Sequence, residues 1–248
     1  MMSEMYVNGK KIEMSFFDTL PSTNAFLKEK CKNGAPNLYT VVADKQSSGR
    51  GRLGRSFHSE IGGLYMSFLL REFGSADMMG ITAAAGVSVA EAIEKIYGVS
   101  CGIKWVNDLI YNGKKVCGIL AEGVISDDGI INGVVVGIGV NITEPTAGFP
   151  DEIKDIAGAI TDRYSLEKRN ELIKAILERF DRNHASSDLI EKYRGRSTVI
   201  GKDVRVITPN EAYNAKAIEI DDTFGLVIMT EDGKRKTLRS GEISIRTK

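Results

Sequence analysis

The sequence predicts an α/β (α+β) fold: a mixed, mostly antiparallel sheet packed with helices, followed by a small C-terminal SH3-like β-barrel. Three observations carry this. Strand-length runs of β-branched and aromatic residues recur between turn signals up to residue 142. Two long stretches have helical character, one rich in alanine at 78–97 and one amphipathic at 166–184. After Gly195 the texture changes to short strands between turns, as in a small barrel-like module. The chain therefore divides into residues 1–197 and residues 198–248.

Residues 12–18 read as a strand. Pro21, Ser22 and Thr23 read as a helix entry, because a hydroxyl oxygen can satisfy an orphan backbone N–H, and Gly34 ends that helix. Residues 39–43 and 64–70 are β-branched and aromatic or apolar, hence strands. The alanine-rich helix 78–97 stops at Gly98. A short strand is expected at 103–106. Residues 109–111 and 115–121 form a hairpin around Asn112-Gly113, a type I′ turn signal. A turn at Asp127-Asp128-Gly129 leads to a strand over 131–142. Leu172, Ile173, Ile176, Leu177 and Phe180 share one face of the helix at 166–184. A short helix spans 188–193. Strands at 204–207, 215–220, 226–229 and 243–245 are separated by turns at Pro209-Asn210, Asp221-Asp222 and Asp232-Gly233.

Composition removes several functional classes. The 248 residues hold 33 Lys plus Arg against 33 Asp plus Glu, so formal charge is zero. That argues against nucleic-acid binding through bulk electrostatics. Hydrophobic content of 42% supports a substantial core. Cys31, Cys101 and Cys117 are odd in number and lack CxxC spacing, which disfavours a disulfide framework or a zinc site. The N-terminus shows no signal-peptide pattern and no apolar run approaches membrane-spanning length. A cytoplasmic protein is the expectation.

The segment Gly49-Arg50-Gly51-Arg52-Leu53-Gly54-Arg55 combines three glycines with three arginines. Glycine permits close backbone approach to a ligand, and arginine supplies forked, fixed-charge donors for phosphate or carboxylate. It is not a Walker loop, since GxxxxGK[ST] is absent. By itself it is equally a solvated basic loop or an RNA-contacting tract. Lys104, within Lys104-Trp105-Val106-Asn107-Asp108, lies in an otherwise apolar run. A lysine there needs an anion, which is either a carboxylate such as Asp108 or a ligand. Ser22-Thr23-Asn24 is a helix cap or a cluster of donors and acceptors for a polar ligand head, and Gln46 shares that ambiguity. Glycines in the run Gly137-Ile138-Gly139-Val140-Asn141 mark close approach of a ligand or another backbone.

Taken together these segments resemble the biotin–protein ligases. Ser22-Thr23-Asn24, Gln46 to Arg55, Lys104 to Asp108, Lys115-Val116-Cys117-Gly118-Ile119-Leu120 and Gly137 to Asn141 stand in that family's order and at similar intervals. Gly241-Glu242-Ile243-Ser244 is similar to its closing motif. Val106 stands where many members carry proline. The resemblance implies activation of biotin by ATP to biotinyl-5′-AMP, with Mg2+ required, and transfer to one lysine of a biotin carboxyl carrier domain. No tightly bound cofactor is implied, and no metal ligands are assigned.

The resemblance also implies roles. Ser22, Thr23, Asn24, Gln46, Arg50, Gly51, Arg52, Lys104 and Gly118 would bind biotin, with Arg52 and Lys104 as the catalytic cations. Arg52, Arg55, Asn107, Asp108 and Asn141 would bind ATP, and Phe57 would cover the ligand. About twenty residues precede Ser22, which leaves no room for the N-terminal DNA-binding domain of bifunctional members. The expectation is a monofunctional ligase that binds neither DNA nor membrane. A homodimer through a free edge of the strand at 131–140 is also expected. The rivals are a lipoate or octanoate ligase of the same superfamily, a nucleic-acid-binding module, and a non-catalytic biotin sensor.

Overall fold

The computed structural model describes residues 2–73, 78–126, 129–208 and 211–239, and the backbone of 242–245. The turn expected at 127–129 therefore falls largely outside the described residues, and the turn at 209–210 and Gly241 fall wholly outside them.

Eight strands form the main sheet: β1 (Met2–Val7), β2 (Lys10–Leu20), β3 (Thr40–Gln46), β4 (Leu64–Leu70), β5 (Gly102–Lys104), β6 (Asp108–Tyr111), β7 (Lys114–Ile125) and β8 (Ile131–Val140). Their spatial order is β1-β2-β3-β4-β8-β7-β6-β5. Every pairing is antiparallel except β2 with β3. That parallel pair needs a crossover, which α1 (Thr23–Lys32) supplies. The Ser22 hydroxyl accepts from Ala25 N at 3.4 Å and so caps α1 as the sequence suggested. α2 (Met78–Tyr97), α3 (Leu166–Asn183) and α4 (Leu189–Gly195) complete this part of the fold. No helix among the described residues is long and apolar enough to cross a membrane.

Period-two alternation explains the layers. In β8, Val134, Val136, Ile138 and Val140 join the core that contains α2 and α3 residues. Val135 points the other way, into a second cluster with Leu27 and Cys31 of α1. Gly137 and Gly139 share the face of Val135. The sheet thus carries α2 and α3 on one face, and on the other α1 beside a stretch of side-chain-free strand. Each of the fully buried aliphatic residues on the helix face contributes roughly 1.5–3 kcal/mol.

The small C-terminal sheet is antiparallel, in the order β12 (Arg235–Leu238), β11 (Leu226–Thr230), β10 (Ala212–Ile220), β9 (Asp203–Ile207), β13 (Glu242–Ile245). It is fastened to α4 and, through Trp105, to the segment that follows β5. Arg194 Nε donates to Ile220 O at 2.8 Å and Arg194 Nη2 to Asp222 Oδ1 at 2.7 Å.

Four expectations need correction. β1 was not anticipated, and neither was β12. The strand expected at 103–106 ends at Lys104, because Trp105, Val106 and Asn107 turn the chain into β6. The strand β8 has no free edge for a second copy, since β4 and β7 pair with its two sides. The sheet ends instead at β1 and at β5, whose Ile103 exchanges hydrogen bonds with Arg196 O (2.6 Å) and Thr198 N (2.9 Å).

Candidate active site

The site is built on a floor of glycines. Gly118 of β7 pairs with Gly139 of β8, and Leu120 pairs with Gly137. A Cβ on Gly137 would lie 2.0 Å from Asn24 Oδ1, and one on Gly139 would lie 2.5 Å from Phe57 Cε1. A Cβ on Gly118 would come within 3.0 Å of Phe57 Cε2. The glycines therefore let Asn24 and the Phe57 ring lie directly on the sheet.

Two adjoining cavities open over this floor. The larger, of about 110 Å³, is lined by Arg52, Arg55, Lys104, Asn107, Asp108 and Lys115, with Trp105 and the loop 51–57 around them. The smaller, of about 50 Å³, is lined by Ser22, Thr23, Asn24, Gln46, Arg50 and the glycines. Gly51, Arg52, Phe57, Asn107 and Lys115 line both, so Phe57 stands where the two meet. Every site residue expected from sequence is brought to one of these cavities except Asn141. Its Nδ2 donates to Gly158 O at 3.0 Å, which ties down the loop after β8 instead.

The arginine/glycine segment folds as a small hairpin. Arg50 pairs with Ser56 as an antiparallel bridge, Gly51 N donates to Arg55 O at 2.7 Å, and Phe57 N donates to Gly49 O at 2.9 Å. Leu53 and Gly54 at its tip have φ of +56° and +75°. This turn carries Arg52 inward, where Nη1 donates to Asn107 Oδ1 at 3.3 Å. Asn107 is itself fixed by donating from Nδ2 to Ile119 O at 2.9 Å.

Among the described residues, the lining of the larger cavity is rich in cationic side chains. Lys104 does not pair with Asp108. Lys115 Nζ takes that carboxylate, 2.7 Å from Oδ1, and also sits 5.9 Å above the Phe57 ring. Among the described residues, that ion pair is the contact made by buried Asp108 Oδ1. Lys104 Nζ has no carboxylate or hydrogen-bond acceptor among the described residues and faces the cavity. Arg52, Arg55 and Lys115 line the same space, with Asp108 the carboxylate among its described lining residues. Such a site attracts anions and lowers the energy of negative charge that develops within it.

The smaller cavity is edged by a continuous hydrogen-bond chain. Lys28 Nζ donates to Glu122 Oε1 at 2.6 Å, and Asn24 Nδ2 donates to Glu122 Oε2 at 2.8 Å. Ser67 Oγ lies 2.6 Å from Asn24 Oδ1 and 2.7 Å from Thr23 Oγ1. Gln46 Oε1 accepts from Thr23 N at 2.8 Å, and Gln46 Nε2 donates to Ser59 Oγ at 2.9 Å. Burial pushes the Glu122 carboxyl up, but the Asn24 and Lys28 hydrogen bonds, with the charges of Lys28 and Arg50, outweigh it and hold Glu122 below the usual range. Ser67, Glu122 and Lys28 were missed as site residues, whereas the strand from Lys115 to Leu120 was expected to line the biotin tail and Lys115 lines both cavities. Ser67 did carry a signal, as a hydroxyl inside the apolar run 64–70.

A family model described as the biotin/lipoate A/B protein ligase family matches residues 16–141, and one described as the biotin protein ligase C terminal domain matches residues 199–246. The chain is 36% identical over 231 residues to the bifunctional ligase/repressor BirA of Bacillus subtilis, covering 89% of this chain and 70% of that one. It is 29% identical over 239 residues to the biotin–[acetyl-CoA-carboxylase] ligase of Mycobacterium tuberculosis, covering 90% and 85%. Among solved structures, the biotin protein ligase of Aquifex aeolicus in complex with biotin and ATP is similar with a TM-score of 0.78 and 30% identity, over 95% of this chain and 99% of that one.

Proposed function

The chain belongs to the biotin/lipoate A/B protein ligase family, and on that premise we propose how its site condenses biotin with ATP and passes the biotinyl group to a lysine. The observation that carries the reading is the junction at Phe57. A hydrogen-bonding pocket on one side meets a cationic cavity on the other, within reach of the same Arg52.

The ureido ring of biotin takes the smaller cavity, against Ser22, Thr23, Asn24 and Gln46, with Arg50, Gly51 and Gly118 beside it. Its carboxylate points into the larger cavity toward Arg52 and Lys104. The ATP phosphates meet Arg52 and Arg55, with Asn107 and Asp108 below. In the first step a carboxylate oxygen of biotin attacks the α-phosphorus, a P–O bond forms, and the bond to the β-phosphate oxygen breaks to release pyrophosphate. In the second, a neutral lysine amine of the carrier attacks the acyl carbon, a C–N bond forms, the amine loses a proton, and AMP leaves. Arg52 and Lys104 offset the repulsion between carboxylate and triphosphate and hold them in line.

Cavities of about 110 and 50 Å³ are smaller than the roughly 300 Å³ at the low end of ligand sites. Binding therefore requires the Phe57 ring and the hairpin 49–57 to move outward and then close over the ligands. Mg2+ accompanies ATP in this reading. Asp108, whose carboxylate now pairs with Lys115, and the adjacent Asn107 carry oxygen donors of the kind this ion prefers and would hold it. Bound there, the ion supplies neutralisation of phosphate charge. Residues 1–197 form the catalytic part and residues 198–248 a module that braces it.

The partner is a biotin carboxyl carrier domain. Mass spectrometry of such a domain, incubated with this chain, ATP, Mg2+ and biotin, should show one lysine gaining a biotinyl group. An unmodified carrier alongside an active control ligase would defeat the reading. A lipoate or octanoate ligase is disfavoured, because the inner cavity is short and edged by Thr23, Asn24 and Gln46 rather than by a long apolar tunnel. Calorimetry should accordingly give heat with biotin and none with lipoate.

A further inference from the structure

A buried charge stands on the helix face of the sheet and lines neither cavity. Arg169, in the first turn of α3, is 2% exposed. Its Nη2 lies 2.8 Å from Asp44 Oδ1 and donates to Ala43 O at 3.3 Å. Its Nε is buried and has no hydrogen-bond partner among the described residues. Val42 belongs to the core shared with α2 and α3, and Asp44, two residues on, shares its face. The Asp44 side chain is 48% exposed, so solvent screens much of its charge. Tyr65 and Tyr97 feel the same guanidinium. Burial pushes Tyr65 well above its usual pKa and Tyr97 up to about 12, so both stay neutral and give it no counter-charge. A guanidinium buried against one half-exposed carboxylate is weak support for a core, where an apolar side chain of similar volume serves as well or better. Stability alone does not account for this cation.

What Arg169 holds is a branch point. β3 pairs with β4 from Thr40↔Phe68 as far as Ala43↔Tyr65. Its pairing with β2 runs on to Lys45 and Gln46. Past Ala43, the partner on the other side becomes the segment 59–60. Gln46 N donates to Ser59 O at 3.0 Å, and Lys45 Nζ meets Glu60 Oε2 at 2.8 Å. That segment continues the returning arm of the hairpin 49–57. Arg169 grips the last ladder carbonyl, Ala43 O, together with the next side chain, Asp44. It therefore fixes the direction in which β3 leaves β4, and Arg52 and Arg55 hang from that root.

We infer that Arg169 is a positioning residue for the ligation reaction, which from the far face of the sheet sets the root of the arginine/glycine hairpin and so the reach of Arg52 and Arg55 into the larger cavity. This rests on the adenylating reading of the site and adds to it a residue that touches no substrate.

The test replaces Arg169 by methionine, which keeps the length and removes the charge. Asp44 then returns to water, so the urea midpoint should equal or exceed that of the wild type. In pyrophosphate release, kcat/KM for ATP should fall by about tenfold or more, the size expected for losing hydrogen bonds from a charged donor. Biotin affinity by calorimetry should stay within about threefold, because the start of the hairpin remains tied to β2 and α1 through Gln46 Oε1 to Thr23 N and through Ser47 N to Leu20 O. Amide exchange should quicken at Gln46, whose N–H closes the root, and not at Val87 inside α2. Arg169→Lys keeps the charge and should recover part of the ATP loss. If Arg169→Met does not fold, Arg169→Lys and Asp44→Asn carry the test, and each should lower kcat/KM for ATP more than biotin affinity. A folded Arg169→Met with wild-type kcat/KM for ATP overturns the inference. So does an equal loss for ATP and biotin, or faster exchange throughout the chain, either of which marks a merely structural residue. A wild-type protein that releases no pyrophosphate with biotin and ATP overturns the adenylating reading, while exchange at Gln46 still decides what Arg169 holds.

Discussion

The indole N–H of Trp105 donates to the carbonyl oxygen of Phe224 across 2.9 Å, and so ties the segment that carries Lys104 and Asp108 to a turn of the C-terminal module. A second tie lies beside it. The hydroxyl of buried Tyr193, on α4, donates to Val106 O at 3.0 Å, and its ring meets Phe224 edge-on at 5.7 Å. Burial drives the Tyr193 phenol far above its usual pKa, so it remains a donor at every working pH. The turn at Phe224 is itself rigid, because Asp221 Oδ1 accepts from Thr223 N at 2.9 Å and Gly225 N at 2.8 Å.

Tyr193→Phe keeps the ring and removes only the bond to Val106 O. One hydrogen bond lost, with a carbonyl left unpaired, is worth about 1–1.5 kcal/mol, or about five- to tenfold. The expected outcome is a drop of that size in kcat/KM for ATP in pyrophosphate release, with biotin affinity held within about twofold. Equal losses for both substrates would mean that α4 and the module do not specifically hold the Lys104 segment.

Gly139→Ala places a Cβ 2.5 Å from Phe57 Cε1, closer than real contacts allow. The ring must lift from the floor it shares with Gly118. Overpacking of this kind costs about 1–3 kcal/mol. Biotin affinity should fall by at least tenfold. Phe57→Ala should lose affinity as well, but adding it to Gly139→Ala should cost little more, because the two act on one contact. Strict additivity in that double-mutant cycle would show that the ring and the floor are not coupled.

These two tests also mark what the sequence could and could not convey. Local chemistry was legible. Ser22 caps α1, Gly98 ends α2 with a φ of +69°, and Asn112-Gly113 turns the β6–β7 hairpin with φ of +49° and +76°. The hairpin at Asn8-Gly9 carries the same signal, with φ of +47° and +80°. It went unread because Met2–Val7 is largely exposed and its apolar alternation is weak. Trp105 and Val106 have strand propensity but turn, and their holds lie 87 and 119 residues further along the chain. The cationic cluster was legible as arginines and lysines near glycines. Its pairing was not, because Lys115 rather than Lys104 lies against Asp108 only once β6 and β7 are in register. Ser67 and Glu122 matter through partners 44 and 98 residues away, a relation that no local pattern encodes.

Arg52 reaches both cavities and holds Asn107 Oδ1 at 3.3 Å, from a hairpin whose tip is exposed. In the proposed reading it therefore does two jobs, screening charge during condensation and keeping the hairpin closed on the adenylate. Arg52→Gly should lower the rate of pyrophosphate release by about 100-fold, the size expected for losing one preorganised charge. It should also release biotinyl-5′-AMP into solution, where a filter-binding assay reads it as lost retention. Retention equal to the wild type would remove Arg52 from the closure role and leave only the first.

Glu122 connects the polar chain to acid stability. Its folded pKa lies below the ordinary value, so the folded protein binds fewer protons here than the unfolded chain does as pH falls. The stability contributed is complete above the unfolded pKa of about 4.3 and is lost as pH drops through the lower folded value. Asp181, bonded by Asn8 and Lys10, and Asp221 are lowered too, so the wild-type loss in acid is a sum. Glu122→Gln isolates one member of it. The variant should be less stable than the wild type in urea at pH 6, and the gap should narrow toward pH 3.5, where the wild-type carboxylate is increasingly protonated. A gap that stays constant between those two pH values would show that the charge of Glu122, as distinct from its shape, contributes nothing to holding Asn24 and Lys28.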